Sequence, residues 1–181
     1  EYVGEGVWAT TFKEDLKGTF YTFQIFHEGQ WLPESVGAYA KAVGVNAVRG
    51  AVIDMADTNP EGWENDLRPA QKNFTDIILY EVHVRDFSVS PNSGMKNKGK
   101  FLAFTEEGTK NSHGQSTGID HLKELGVTHV HLLPAFDYNS IDETKLDENK
   151  YNWGYDPASF NAPEGSYSTN PYDPICRIKE L

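Results

Sequence analysis

Hydrophobic and polar positions change their rhythm three times along this 181-residue chain. Residues 1–55 alternate in short runs punctuated by turn residues. VWATTF (7–12) alternates, TFYTFQIFH (19–27) places Tyr21, Phe23 and Ile25 on one face, and VRGAVID (48–54) closes the series. KEDLKG (13–18) ends on a turn glycine, and EGQ (28–30) carries a hairpin signal. Short strands at this spacing predict part of a β-sandwich. A whole sandwich has about seven strands and about four are visible, so strands are expected to be missing on the N-terminal side.

Residues 56–75, ADTNPEGWENDLRPAQKNFT, are rich in Pro, Gly, Asn and charge and read as a surface linker, with Trp63 expected to pin it to a neighbour. At residue 76 the pattern changes. DIILYEVHV (76–84) is a nearly continuous apolar and β-branched run, the mark of a strand buried on both faces. TGIDHLKELG (117–126) has helical spacing. Thr117 is the expected N-cap with Asp120 three residues on, Ile119, Leu122 and Leu125 form the stripe, and Gly126 suits the C′ position. VTHVHLLP (127–134) is a second buried-type strand, which makes a βαβ unit. Residues 85–116 and 135–172 read as long loops. YDPICRIKEL (172–181) begins a second helix, capped by Asp173 with Pro174 in its first turn and Ile175, Ile178 and Leu181 as its stripe. Two buried strands need neighbours on both sides. A (β/α)₈ barrel takes roughly 250 residues, and a four- or five-stranded doubly wound sheet is incomplete here as well, so either the chain is expected to be a fragment or a second polypeptide is expected to finish the fold.

Charge narrows the function. The net charge is −11 and the pI about 4.9. Such a surface repels nucleic-acid phosphates and anionic membranes. No apolar run approaches the length of a membrane span. The single cysteine, Cys176, excludes an intrachain disulfide. The chain opens on Glu1 with no signal-peptide pattern, so a processed or truncated start is expected and the compartment stays open.

Both long loops leave the C-terminal ends of the predicted strands, where α/β proteins place their ligands. Glu81, His83, Arg85 and Asp86 read either as an active-site cluster or as an ion network. His129 and His131 read as core residues held to the sheet rather than as metal ligands. Asp137, Asp142, Glu143, Asp147 and Glu148 read as a solvated acidic loop without the spacing of a calcium site. Trp8, Trp31 and Trp63 read as packing residues. The heptapeptide YNWGYDP (151–157) stands apart. Gly154 lets the backbone turn between two large rings, and Asp156–Pro157 fixes an extended exit. Tyr155 is thereby presented rigidly, able to stack on a pyranose, with Asn152 and Asp156 able to bond hydroxyls.

These segments carry a family resemblance. ILYEVHVRDFS (78–88), GIDHLKELGVTHVHLLPAFDY (118–138), YNWGYDP and PEGSYSTNPYDP (163–174) resemble type I pullulanases, debranching enzymes of the α-amylase superfamily. The resemblance implies the end of a starch-binding-like, all-β sandwich at 1–55, a linker at 56–75 and the first β/α units of a (β/α)₈ TIM barrel at 76–181. It implies hydrolysis of α-1,6 links in pullulan, amylopectin or limit dextrins by a retaining mechanism with two carboxyl groups. It places those groups after later barrel strands, so no catalytic residue is assigned here. Tyr155 matches the tyrosine that stacks on the sugar whose bond is cut, and Asn152, Trp153 and Asp156 accompany it in the binding loop. The implied partners are an α-glucan and the remaining C-terminal part of the same protein, with no nucleic acid and no membrane span. No cofactor is implied; some superfamily members bind calcium, and no residue set in the sequence fixes a site. A non-catalytic glucan-binding module and a sibling branching enzyme or isoamylase are the alternatives.

Overall fold

Ten short strands and two helices, joined by turns and 3₁₀ segments, make up the computed structural model, which describes all 181 residues. No helix is long and apolar enough to cross a membrane.

The alternating N-terminal runs pair two by two. β1 (Tyr2–Gly4) pairs with β2 (Val7–Trp8), β3 (Phe20–Tyr21) with β6 (Gly50–Ala51), and β4 (Phe26–His27) with β5 (Gln30–Trp31), all antiparallel. The β4–β5 hairpin turns on Glu28 and Gly29, both at positive φ, as the EGQ signal predicts. These ribbons do not assemble into two packed sheets. Trp8, Phe12, Phe23, Ile25, Phe26 and Trp31 therefore stay exposed, although alternation marks Phe23 and Ile25 for burial. Trp63 is exposed as well, so it does not pin the segment around it as expected. Only the end of this region is tied down: Val36, Ala40 and Val43 bury themselves with Ala162.

The βαβ unit is present. β7 (Leu79–Val82) and β8 (His129–Leu132) run parallel in the register Leu79↔His129, with α1 (Gly118–Glu124) between them. Leu79, Tyr80 and Val130 are exposed, contrary to the double-sided burial expected of them. The reason is topological: β7 and β8 bond only to each other, so no further strand covers their flanks. Thr117 occupies the α1 N-cap position but makes no capping bond. Its hydroxyl donates to the Ser93 carbonyl at 2.6 Å, and Asp120 accepts from the Gly108 amide instead. Gly126 ends the helix at φ +76°, the left-handed conformation expected at C′.

The expected loop 135–172 is not one loop. β9 (Phe136–Tyr138) and β10 (Pro157–Pro163) pair antiparallel inside it, with bulged register. An acid at the centre of β9 and prolines at both ends of β10 hide the strand period. α2 (Pro174–Glu180) starts at Asp173, whose carboxylate accepts from the amides of Ile175 and Cys176 at 2.9 and 3.2 Å. The helix buries Pro174 and Arg177, not the expected Ile175–Ile178–Leu181 stripe. Beneath the 139–156 connection lies the main apolar core: Val84, Phe101, Tyr138, Ile141 and Tyr167.

Candidate functional site: an aromatic loop braced from the strand ends

The heptapeptide 151–157 leads into β10, and its conformation is held from within. The Asn152 side-chain amide donates to Asp156 Oδ1 at 2.6 Å, and Asn152 Oδ1 accepts from the Gly154 amide at 3.0 Å. The Ser140 hydroxyl donates to Asp156 Oδ2, and the Asp156 carbonyl accepts from the Asn139 amide at 3.0 Å. Burial works to raise the Asp156 carboxyl, but the bonds from Ser140 and Asn152 outweigh it and leave it below the usual carboxylate range. Gly154 sits at φ +87°. A β-carbon there would come within 2.9 Å of Pro134 Cβ and 3.0 Å of the Pro134 carbonyl oxygen. Glycine is thus required twice, for its backbone angle and for close approach.

This scaffolding divides the four residues expected to meet sugar. Asn152 and Asp156 spend their polar atoms on each other and on the loop. Trp153 and Tyr155 stand outward, 60% and 65% exposed. These two rings are held open by a hydrogen-bonded backbone.

The residues leaving β7 brace the start of this loop. His83 Nε2 lies 2.8 Å from the Asn152 carbonyl oxygen and 3.1 Å from the Tyr167 hydroxyl. The His83 ring packs against Tyr151 with centroids 5.0 Å apart, and the Arg85 guanidinium lies 5.7 Å from the same Tyr151 ring. Arg85 also bonds Asn149 Oδ1 at 2.8 Å and Asp86 at 3.1 Å. Of the expected cluster, His83, Arg85 and Asp86 therefore gather at the loop, while Glu81 pairs with His131 at 3.2 Å on an exposed flank. His129 Nδ1 lies 2.9 Å from the Thr128 hydroxyl and is only half-buried, and His131 is exposed, so neither β8 histidine is the core residue expected. A cavity of about 1040 Å³ opens beside the brace, with His83, Asp86, Phe87, Tyr151 and Trp153 in its wall.

The acidic residues depart furthest from expectation. Asp137 and Glu143, read as members of a solvated loop, are buried around Arg177, itself 1% exposed. Arg177 Nη1 bonds Asp137 at 2.8 Å and Nη2 bonds Glu143 at 2.5 Å; Nε and Nη2 also donate to the Pro171 carbonyl. Glu164 completes the group, accepting from the amides of Tyr138 and Ser166 at 3.1 and 3.0 Å. Burial, with Glu143 close by, pushes Asp137 up to about 7 and Glu164 up to about 8. Oxygens of the three acids lie within 4.8 Å of one another, a donor set suited to a hard cation. The positive charge among them is the Arg177 guanidinium, which already bonds two of the three. A calcium ion is therefore not assigned here. Asn46, with φ 56°, reaches across from the N-terminal region. Its amide donates to Glu143 Oε2 at 2.7 Å, its side-chain oxygen accepts from the Glu143 amide at 2.8 Å, and its Nδ2 donates to Asp142 at 3.0 Å. Sequence reading missed Glu164, Arg177 and Asn46. The available signals were weak: Glu164 stands just before a turn whose amide it caps, and Arg177 is the helical position that spoils an otherwise apolar stripe.

No family model matches the chain. Individual relatives do. The chain is 48% identical to a pullulanase of Bacillus subtilis (strain 168) over 98% of its own length and 24% of that protein. A crystal structure of the Paenibacillus barengoltzii pullulanase, in complex with maltohexaose and α-cyclodextrin, matches with a TM-score of 0.90 and 56% identity. That match covers 92% of this chain and 26% of the other. The Anoxybacillus sp. LM18-11 pullulanase, complexed with maltotriose, matches at 0.83 and 43% identity, over 93% of this chain and 23% of the other. The chain is thus homologous to pullulanases over nearly all of its residues, and it spans about a quarter of the length of these relatives.

Proposed function

We propose that this chain is part of a type I pullulanase, a glycoside hydrolase that cleaves α-1,6 links in pullulan, amylopectin and limit dextrins. In that enzyme it supplies sugar-binding surface and not the catalytic carboxyl groups. Residues 1–55 are the end of a starch-binding-like sandwich, 56–75 a linker, and 76–181 the first β/α units of a (β/α)₈ barrel. Homology with pullulanases supports this assignment, and so do the exposed apolar residues Ile78, Leu79, Tyr80 and Val130 around the solitary parallel pair. In a barrel those positions are covered by further strands and helices. A self-contained glucan-binding module would not leave them open.

The observation that carries the reading is the outward pair Trp153 and Tyr155 on a loop fixed by its own hydrogen bonds. A glucan ring lies on the Tyr155 face, and the neighbouring α-1,6 bond is presented to two carboxyl groups supplied by the rest of the protein. Retaining chemistry then runs through a glycosyl-enzyme: one carboxylate attacks the anomeric carbon while the other carboxyl protonates the leaving oxygen, and water, giving its proton to that second group, then attacks the anomeric carbon and frees the first carboxylate. This chain's share is placement of the sugar before attack.

The test is reducing-sugar release from pullulan by the intact protein carrying this chain, and by the 181-residue chain alone. Release by the former and none by the latter is expected. Hydrolysis by the chain alone, or an intact protein that leaves pullulan untouched, would sink the proposal.

A further inference from the structure

We propose that His83 is a positioning residue for the aromatic loop, holding Tyr151 and the Asn152 carbonyl through one tautomer of its ring. The Asn152 oxygen is a carbonyl and can only accept, so the nitrogen 2.8 Å from it, Nε2, carries the proton. In the neutral ring that leaves a lone pair on Nδ1, which is buried and has no partner. A buried polar atom left unpaired is a destabilising cost. Nothing on the Nδ1 side repays it, so the value of histidine at this position lies in Nε2 and in the ring face.

Both point at the same target. Nε2 bonds the loop at Asn152, and the ring packs on Tyr151, the residue before it. The Tyr167 hydroxyl, 3.1 Å from Nε2 and buried in the main core, limits the ring from the other side. His83 itself follows β7 directly and is 5% exposed, so it carries the rigidity of the strand to the loop. The other bonds within 151–157 shape the loop but do not fix where it sits over β7. Of the residues near that strand's end, His83 alone bonds its backbone. Arg85 bonds the Asn149 side chain at 2.8 Å and lies over the Tyr151 ring, but it makes no bond to the backbone of 151–157.

The substitutions that separate this role from general packing follow from bond lengths. His83→Gln carries an amide N–H about as far from the backbone as Nε2 and keeps the donor. His83→Asn places its amide at the level of Nδ1 and cannot reach Asn152. His83→Ala removes both donor and ring. In the intact protein carrying this chain, hydrogen–deuterium exchange across 151–157 should be roughly tenfold faster in the Asn and Ala variants and near wild type in the Gln variant, the scale set by one net hydrogen bond. Affinity for maltohexaose should follow the same order. This second readout rests on the proposed sugar contact of Tyr155, whereas the exchange readout does not. Unchanged exchange in His83→Ala, or a Gln variant that exchanges as fast as Ala, overturns the positioning role. Exchange in the expected order with no maltohexaose affinity in the wild type would uphold it while overturning the proposed function.

Discussion

Replacing Arg177 with methionine tests the central claim about this fold, that a guanidinium is the structural cation of a buried acidic cluster. Methionine keeps much of the volume and removes the charge and every donor. Arg177 is 1% exposed and bonds Asp137, Glu143 and the Pro171 carbonyl. Removing one side of a buried ion pair costs about 3–5 kcal/mol, because the partners are left charged and unpaired. Against a total stability of about 5–15 kcal/mol this is a large fraction. For a chain of this length it corresponds to a fall in Tm of roughly 6–20 °C. The cost should depend on pH in a definite direction. Asp137 and Glu164 have folded values near 7 and 8, above the unfolded range near 4. Folding therefore binds protons: the contribution of these groups is complete below about pH 4 and is lost as pH rises through about 7 to 8. Without Arg177 the carboxyls must rely on protons alone, so the penalty should be small at pH 5 and full at pH 8. Urea unfolding of the chain followed by circular dichroism, with midpoint and slope both fitted, measures it. A variant within about 1 kcal/mol of wild type at pH 8, or a penalty that grows toward acid, would refute the assignment.

Three further outcomes are expected. Gly154→Ala meets both a forbidden backbone angle and the wall formed by Pro134 and Tyr138, so it should cost about 1–3 kcal/mol and weaken maltohexaose binding in a titration calorimeter. Asn46→Gly keeps the left-handed backbone but deletes the side-chain bonds to Glu143 and Asp142; a loss of about 1–2 kcal/mol in urea unfolding is expected, with Asn46→Ala worse because alanine also resists φ 56°. Tyr155→Ala removes an exposed ring, so Tm should move by less than about 2 °C while, under the proposed function, the KM of the intact protein for pullulan rises roughly tenfold.

Local physics was legible in the sequence where one rule governed one segment. The EGQ hairpin, the βαβ unit, the Gly126 terminus and the Asp173 cap all follow from short-range conformational preference and appear in the structure. The YNWGYDP loop was legible for the same reason, since glycine between two rings before Asp-Pro admits few conformations. Non-local arrangements were not. Alternation marks a face for burial at Phe23 and Ile25, but it cannot supply the layer that covers it. Asp137 and Glu143 look like solvated acids because their cation stands 40 and 34 positions away on α2. β9 and β10 were hidden by that same buried charge and by proline. Sequence set Tyr155 apart as the presented ring but offered Asn152 and Asp156 to sugar hydroxyls, whereas their polar atoms bond each other.

The cluster and the loop are joined by one strand, and Glu164→Gln is the substitution that reads the joint. Tyr138 on β9 gives its amide to Glu164, while its ring stands against Gly154, where an added β-carbon would meet Cδ1 at 3.2 Å. The neighbouring Asp137 gives its carboxylate to Arg177. The three acids face the Arg177 guanidinium, with the Lys100 ammonium also near Glu164 and Glu143, and burial raises Asp137 and Glu164 toward their protonated forms. A glutamine at 164 keeps the carbonyl acceptor and removes one ionisable site at every pH. The decline in stability between about pH 4 and pH 8 should therefore be shallower in Glu164→Gln than in wild type. The variant should lose about 1–3 kcal/mol at low pH, where its amide faces a backbone N–H that a carboxyl oxygen accepted, and recover relative to wild type as pH rises. Exchange at the Gly154 amide, measured across the same range, should change its pH response with it, because β9 carries the displacement. Parallel stability profiles for the two proteins would refute proton storage at Glu164. Altered stability with an unmoved Gly154 amide would separate the acidic cluster from the aromatic loop.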